Sequence, residues 1–138
     1  MARIVAYLTF DGNCREAMGF YKDAFGGTLS VTTVGESPAF AQLPGQSRDH
    51  VMHAELKSDS FSLMASDNLG GAQIKVGSAI SLMLYCTSEV EIRSVYPKLA
   101  AGGTVNSELK IEFWGSLYGD ITDRFGIRWM LNFDMPKA

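Results

Sequence analysis

The chain has 138 residues, about one domain's worth, with 12 Lys and Arg against 15 Asp and Glu and a formal net charge of −3. Hydrophobic residues make up 46% and charged residues 20%, which excludes a disordered polymer and supplies enough apolar surface for a core that needs no disulfide or metal staple. The acidic balance speaks against a nucleic-acid partner, since a phosphate backbone asks for concentrated Lys and Arg.

Residues 4–10 are short, apolar and β-prone and read as a strand. Asp11-Gly12 is a turn signal, and Asn13 with Glu16 three residues on reads as the capping box that opens a helix. Ala17, Phe20, Tyr21 and Ala24 give that helix an apolar stripe, and Gly26-Gly27 ends it. Strands are expected over 28–34, 50–57 and 61–66, with Asp59-Ser60 as a tight turn. Residues 35–49, with Pro38, Pro44 and Gly45, read as a mobile loop, in which Phe40 to Arg48 could serve as a lid. Residues 68–77 form a linker.

The same order then returns. Residues 80–86 read as a strand, Ser88-Glu89-Val90-Glu91 as a capping box, and Gly102-Gly103 as a helix stop. Pro97 falls inside this helix and is expected to kink it. Strands follow over 104–107, 117–122 and 127–132, and Asp123-Arg124-Phe125-Gly126 reads as a hairpin turn. The return is visible in the letters. At an offset of 76, Phe20-Tyr21-Lys22-Asp23-Ala24-Phe25-Gly26-Gly27-Thr28 falls on Tyr96-Pro97-Lys98-Leu99-Ala100-Ala101-Gly102-Gly103-Thr104. Leu8 falls on Leu84 at the same offset, so the chain holds two copies of one supersecondary unit. The expected class is α+β: one domain over 1–138 made of two βαβββ modules, 1–67 and 78–138.

Cys14 and Cys86 stand in no metal-ligand spacing and read as small, reduced, buried residues of a cytoplasmic protein. The first residues lack the apolar core and cleavage site of a signal peptide, and no apolar run reaches the ~20 residues of a membrane span, so no membrane partner is expected.

The duplicated unit, with FDGN and FYKDAFGG near the start, MHAEL in the middle and FWGSLYGDITDRFGIRWMLN near the end, resembles the vicinal oxygen chelate superfamily. That superfamily holds glyoxalase I, extradiol dioxygenases and the bleomycin and fosfomycin resistance proteins, and the nearer likeness is to its PhnB-like branch. The resemblance implies paired modules, a cupped mixed sheet around a small-molecule pocket with helices on the outer face, and a homodimer. Some proteins of the branch carry a demethylubiquinone methyltransferase label. This chain lacks the glycine-rich loop and following acidic residue that a nucleotide-type cofactor would need.

Enzymes of the superfamily hold a divalent metal with His, Glu or Gln on four strands, where it acts as an electrophile. The matching positions here are Val5 or Tyr7, Leu63 or Met64, Ser81, and Met130. None is an imidazole or carboxylate, and such a cation needs three or four N or O donors, so neither metal nor other cofactor is expected.

Strand parity assigns the ligand face. It carries Tyr7 and Thr9; His53 and Glu55; Ser62, Met64 and Ser66; Ser81, Met83 and Tyr85; and Arg128, Met130 and Asn132. Met52, Ala54 and Leu56 should face the core. This is a mostly apolar surface with a few placed polar groups, as small-ligand sites have. His53 and Glu55 fit either a general-base pair or a salt bridge on the sheet rim. Arg128 fits an anion clamp or a surface ion pair, Tyr7 and Tyr85 fit ligand hydrogen bonding or core packing, and Trp114 fits a stacking platform or a filler of the module interface. His50 is expected at an exposed loop end.

The function expected is a metal-free PhnB-like protein whose partner is a small, partly apolar molecule, either sequestered or turned over by an unspecified reaction. The alternatives are a metal-dependent lyase or dioxygenase of the same superfamily and a structural dimer with a vestigial cup.

Overall fold

The computed structural model describes residues 2–37 and 48–137. All of the expected lid but Arg48, and most of the loop over 35–49, therefore lie outside the described residues. Two compact units divide the chain, Met1–Lys75 and Val76–Ala138.

Unit 1 runs β1 (Ala6–Phe10), α1 (Cys14–Phe25), β2 (Thr28–Thr33), β3 (Val51–Lys57) and β4 (Ser62–Asp67). Its sheet has the order β1-β4-β3-β2, with β1 parallel to β4 and the other pairs antiparallel. Unit 2 repeats this with β5 (Leu82–Tyr85), α2 (Glu89–Ala100), β6 (Thr104–Ile111), β7 (Ser116–Thr122) and β8 (Arg128–Asp134) in the order β5-β8-β7-β6. Both units are thus βαβββ, each a four-stranded mixed sheet with one helix, as the internal repeat predicts.

In unit 1 the helix face is Cys14, Ala17, Met18, Tyr21 and Ala24, all buried at helical spacing. Met18 joins the stripe and Phe20 stays half-exposed. It meets strand residues of one parity: Phe10, Ala54, Leu56, Leu63 and Ala65 are all buried. Each large side chain so buried contributes about 1.5–3 kcal/mol of transfer energy. Unit 2 is built alike, with Ile92, Val95 and Leu99 of α2 buried together with Leu117, Ile121, Trp129 and Leu131 of its sheet.

The glycine pairs explain why the repeat is strictest there. Gly26 (φ 79) and Gly102 (φ 78) take the left-handed region just past each helix. Gly27 and Gly103 do a second job, letting the chain pass close to the end of the neighbouring strand. A Cβ on Gly27 would lie 2.8 Å from the Lys57 carbonyl oxygen, and one on Gly103 would lie 2.3 Å from that of Thr122.

Several boundaries differ from expectation. Ile4 and Ile80 are exposed and stand outside β1 and β5, although their apolar character drew the predicted strands over them. β6 runs four residues beyond 107, because its ladder with β7 tolerates two register shifts. β8 ends at Asp134 rather than 132. Residues Val34–Glu36 form a 3-10 turn rather than strand end and loop, closed by a capping box between Thr33 and Glu36. α2 runs through Pro97 to Ala100 without breaking. A register shift between Thr32 and Thr33 pairs Thr33 with Val51, and Val51 is buried while Met52 is half-buried.

The predicted capping box at Asn13 is absent, since Asn13 makes no side-chain cap. Asp67 takes its place from the end of β4. Its Oδ1 accepts the Cys14 N–H at 2.9 Å and its Oδ2 accepts the Val51 N–H at 2.7 Å. The box at Ser88 forms in part. Ser88 Oγ accepts the Glu91 N–H at 3.0 Å, while the Glu91 carboxylate reaches back to the Thr87 N–H at 2.8 Å. Both cysteines are free and buried. Burial, aided by the Asp67 carboxylate, pushes the Cys14 thiol up to about 12, and burial, aided by Glu91, does the same for Cys86.

Candidate functional site

Because a helix covers one face of each sheet, the other face collects residues of opposite parity. In unit 1 the ladder registers Tyr7 with Met64 and Met64 with Glu55, placing three strands' side chains in one row. Tyr7 is 50% exposed and Thr9 is exposed, while His53, Glu55, Met64, Ser62 and Ser66 are half-buried. The phenol oxygen of Tyr7 lies 3.2 Å from His53 Nδ1, within hydrogen-bond reach, and the two rings are 5.7 Å apart. Glu55 is engaged elsewhere, its Oε2 accepting the Ser62 hydroxyl at 2.6 Å. Neither the Glu55-oriented base nor the rim salt bridge forms. The imidazole is positioned by a tyrosine and the carboxylate by a serine.

In unit 2, Met83 pairs with Met130 and Tyr85 with Asn132, and across the next ladder Asn132 pairs with Tyr118 and Met130 with Asp120. Met83 and Tyr85 are exposed; Ser81, Arg128 and Met130 are half-buried; Asn132 is buried. Arg128 Nε donates to Ser81 Oγ at 3.3 Å. Trp114, 53% exposed in the β6–β7 turn, packs edge-on against Phe113 and Tyr118 at 5.0 and 5.9 Å. Asp123 anchors the predicted hairpin turn, accepting the N–H of Phe125 at 2.8 Å and of Ile127 at 3.0 Å and the Trp129 indole N–H at 2.9 Å.

Three polar residues of this face were not picked out by sequence parity. Asp134 lies beyond the strand that the sequence predicts over 127–132. Its Oδ1 accepts from Ser116 at 2.7 Å and Asn132 at 3.0 Å, and its Oδ2 accepts from Tyr85 at 3.0 Å. Those donors, Ser116 foremost, hold its carboxyl below the usual range. The Tyr85 phenol is raised in turn, chiefly by giving its proton to that bond. Tyr118 and Asp120 sit two apart on β7, and the phenol donates to Asp120 Oδ2 at 2.9 Å. Burial first, then that bond, pushes the Tyr118 phenol up to about 12. The alternation of SLYGDIT carried the signal, with Tyr118, Asp120 and Thr122 on one parity.

The superfamily's metal finds no donor set in these registers. Of the positions where the resemblance puts the metal, Tyr7 registers with Met64, and Ser81 and Met130 complete the set, so a phenol, a hydroxyl and thioethers stand there rather than imidazole or carboxylate. Among the described residues no three His, Cys, Asp or Glu gather as ligands.

Residues 2–132 match the family profile described as 3-demethylubiquinone-9 3-methyltransferase. The chain is 39% identical to protein PA1353 from Pseudomonas aeruginosa, covering 99% of this chain and 100% of that one with a TM-score of 0.88. It is 26% identical to a PhnB protein from Bacillus cereus, covering 96% and 99% with a TM-score of 0.78. A glyoxalase/bleomycin resistance protein/dioxygenase from Nocardioides shares the fold, at 18% identity, 100% and 87% coverage and a TM-score of 0.58. Among the described residues no helix is long and apolar enough to cross a membrane. With its two βαβββ units and its near-complete match, the chain belongs to the PhnB-like 3-demethylubiquinone-9 3-methyltransferase family of the glyoxalase/bleomycin resistance/dioxygenase fold.

Proposed function

We propose that this protein is a homodimeric, metal-independent holder of a small, partly apolar molecule, bound against its uncovered sheet faces. The observation that carries the reading is the make-up of those faces. Tyr7 and Met64 in unit 1, and Met83, Tyr85 and Met130 in unit 2, supply adaptable apolar contact. Beside them the polar groups are already oriented by neighbours, His53 by Tyr7, Glu55 by Ser62, and Asp134 by Tyr85, Ser116 and Asn132. Groups fixed before a guest arrives lose little freedom on binding.

Methyl transfer, which the family's description names, finds little support in the chain. A nucleotide-type methyl donor would sit on a glycine-rich turn between a parallel strand and a helix. The turn from β1 into α1 is Asp11-Gly12-Asn13, with a single glycine.

Two measurements test the reading. Protein purified with divalent cations present is expected to carry them far below one per chain; one tightly held ion per chain would restore the metal-dependent alternative. A thermal-shift screen of aromatic metabolites and antibiotics is expected to yield stabilising compounds, since a ligand at a hundred times its Kd adds about 2.7 kcal/mol to the folded state. A broad screen with no shift would favour the structural dimer.

A further inference from the structure

The open face of unit 2 continues into a groove of about 530 Å³ at the end of its sheet, lined by Ile111, Trp114, Ser116, Asp134, Met135 and Lys137, among others. Two features of this groove point the same way. Its aromatic wall is Trp114, whose indole is the strongest π-platform for a cation among the side chains. Its lining includes the exposed Asp134, whose hydrogen bonds all come from neutral groups, two on Oδ1 and one on Oδ2. Each carboxylate oxygen can accept two, so Oδ2 keeps a free acceptor position. Among the described residues no ion pair to Asp134 offsets this charge.

An oriented carboxylate without an ion-pair partner, in one groove with an exposed indole and apolar walls, is the complement of an alkylammonium group. Resting on the small-molecule reading above, we propose that this groove is a subsite for a small organic cation, its charge directed at Asp134 and its alkyl groups against Trp114, Ile111 and Met135. Lys137, on the same lining, brings a competing positive charge to the groove. Its removal should tighten binding, a consequence a neutral guest would not share.

The probe pair is choline and its neutral isostere 3,3-dimethylbutan-1-ol, titrated into the full chain and followed by NMR and by indole fluorescence. Trp114 is the exposed indole, while Trp129 is buried. Choline is expected to bind about ten-fold more tightly than the alcohol. Asp134→Asn, which keeps the side-chain shape, should cut that preference about three-fold, Trp114→Leu should weaken choline and spare the alcohol, and Lys137→Ala should tighten choline about two-fold. Equal binding of the two probes would overturn the cation proposal and leave the small-molecule reading standing. Silence from both, at tens of millimolar and with no hit in the broad screen, would overturn both. Loss of choline binding in Asp134→Asn with an altered fold by circular dichroism would be resolved by Lys137→Ala, whose unchanged or weaker affinity counts against the proposal.

Discussion

In unit 1 the start of the helix is held by Asp67, a carboxylate more than fifty positions away at the end of β4, whereas in unit 2 it is held by Ser88, the residue beside it. Yet the helices have the same length, end on the same glycine pair and lie on sheets of the same strand order. The same contrast returns on the open faces. Unit 1 presents Tyr7, His53 and Glu55, while unit 2 presents Tyr85, Tyr118, Asp120 and Asp134. What the copies share is what the backbone path requires. What they do not share is how orphan donors are satisfied and what the uncovered face offers a guest. A sheet tolerates many side chains on its free face provided their parity is kept, but only glycine where backbones nearly touch.

The hardest way to break the comparison is at those glycines. Gly103→Ala is expected to cost about 4 kcal/mol, because the added carbon would lie 2.3 Å from a carbonyl oxygen and within 2.9 Å of the Asp123 backbone, atoms that cannot move aside alone. Gly27→Ala should cost about 3 kcal/mol, combining a 2.8 Å approach with φ 96. Gly12→Ala, with positive φ and open space, should cost about 1 kcal/mol. Urea midpoints at unchanged slope measure all three. A Gly103→Ala loss no larger than that of Gly12→Ala would show that the close approach is not what the repeat preserves.

The caps come next. Asp67→Ala strands the buried N–H groups of Cys14 and Val51 and is expected to cost about 3 kcal/mol. Ser88→Ala opens an exposed helix end, where water replaces the hydroxyl, at about 1 kcal/mol. Equal losses would mean that the remote cap does no more than a local one. The thiols sharpen the same contrast less. With Cys14 and Cys86 both pushed up to about 12, each should react with a thiol reagent at pH 8 far more slowly folded than unfolded. The sign follows. The folded state keeps protons that the unfolded chain releases from about pH 9, so this contribution to stability is intact below pH 9 and is lost as pH rises towards 12. Faster labelling of Cys14 alone in Asp67→Ala would tie that cap to the packing around α1.

The fold was readable because its signals are local or repeated. Gly26-Gly27 and Gly102-Gly103 mark two helix ends by the same physics, and strand parity assigned Tyr7, His53 and Met64 to one face of unit 1 before any ladder was known. The partners on those faces were not readable, because they depend on register between strands distant in sequence. His53 and Glu55 are two apart and invite pairing, but Ser62 engages Glu55 from the adjacent β4 and Tyr7 engages His53 from β1, across β4. Asn13 satisfies every local rule for a cap and loses to Asp67. Asp134 lies two residues past the predicted strand end, and the network that joins Tyr85, Ser116 and Asn132 depends on it.

The smallest expected effect is a titration on the open face of unit 2. Tyr118 is raised from the ordinary 10.0 to about 12 by burial first, then by donating to Asp120 and by the Asp120 and Glu112 charges, with Arg128 pulling the other way. In unit 1 the open-face phenol, Tyr7, lies against an imidazole rather than a carboxylate. Asp120→Asn removes one charge and keeps a hydrogen-bond acceptor. The Tyr118 transition, followed by phenolate absorbance against a Tyr118→Phe control, should therefore fall part of the way and stay above 10, because the largest cause remains. A folded pKa above the unfolded one stabilises fully below pH 10 and ever less as pH climbs through about 12. Asp120→Asn should thus leave stability at pH 7 nearly unchanged and flatten its decline above pH 10. A fall all the way to 10 would make the carboxylate, not burial, the governing cause, and would turn the Tyr118–Asp120 pair from a packed wall of the face into one held by charge.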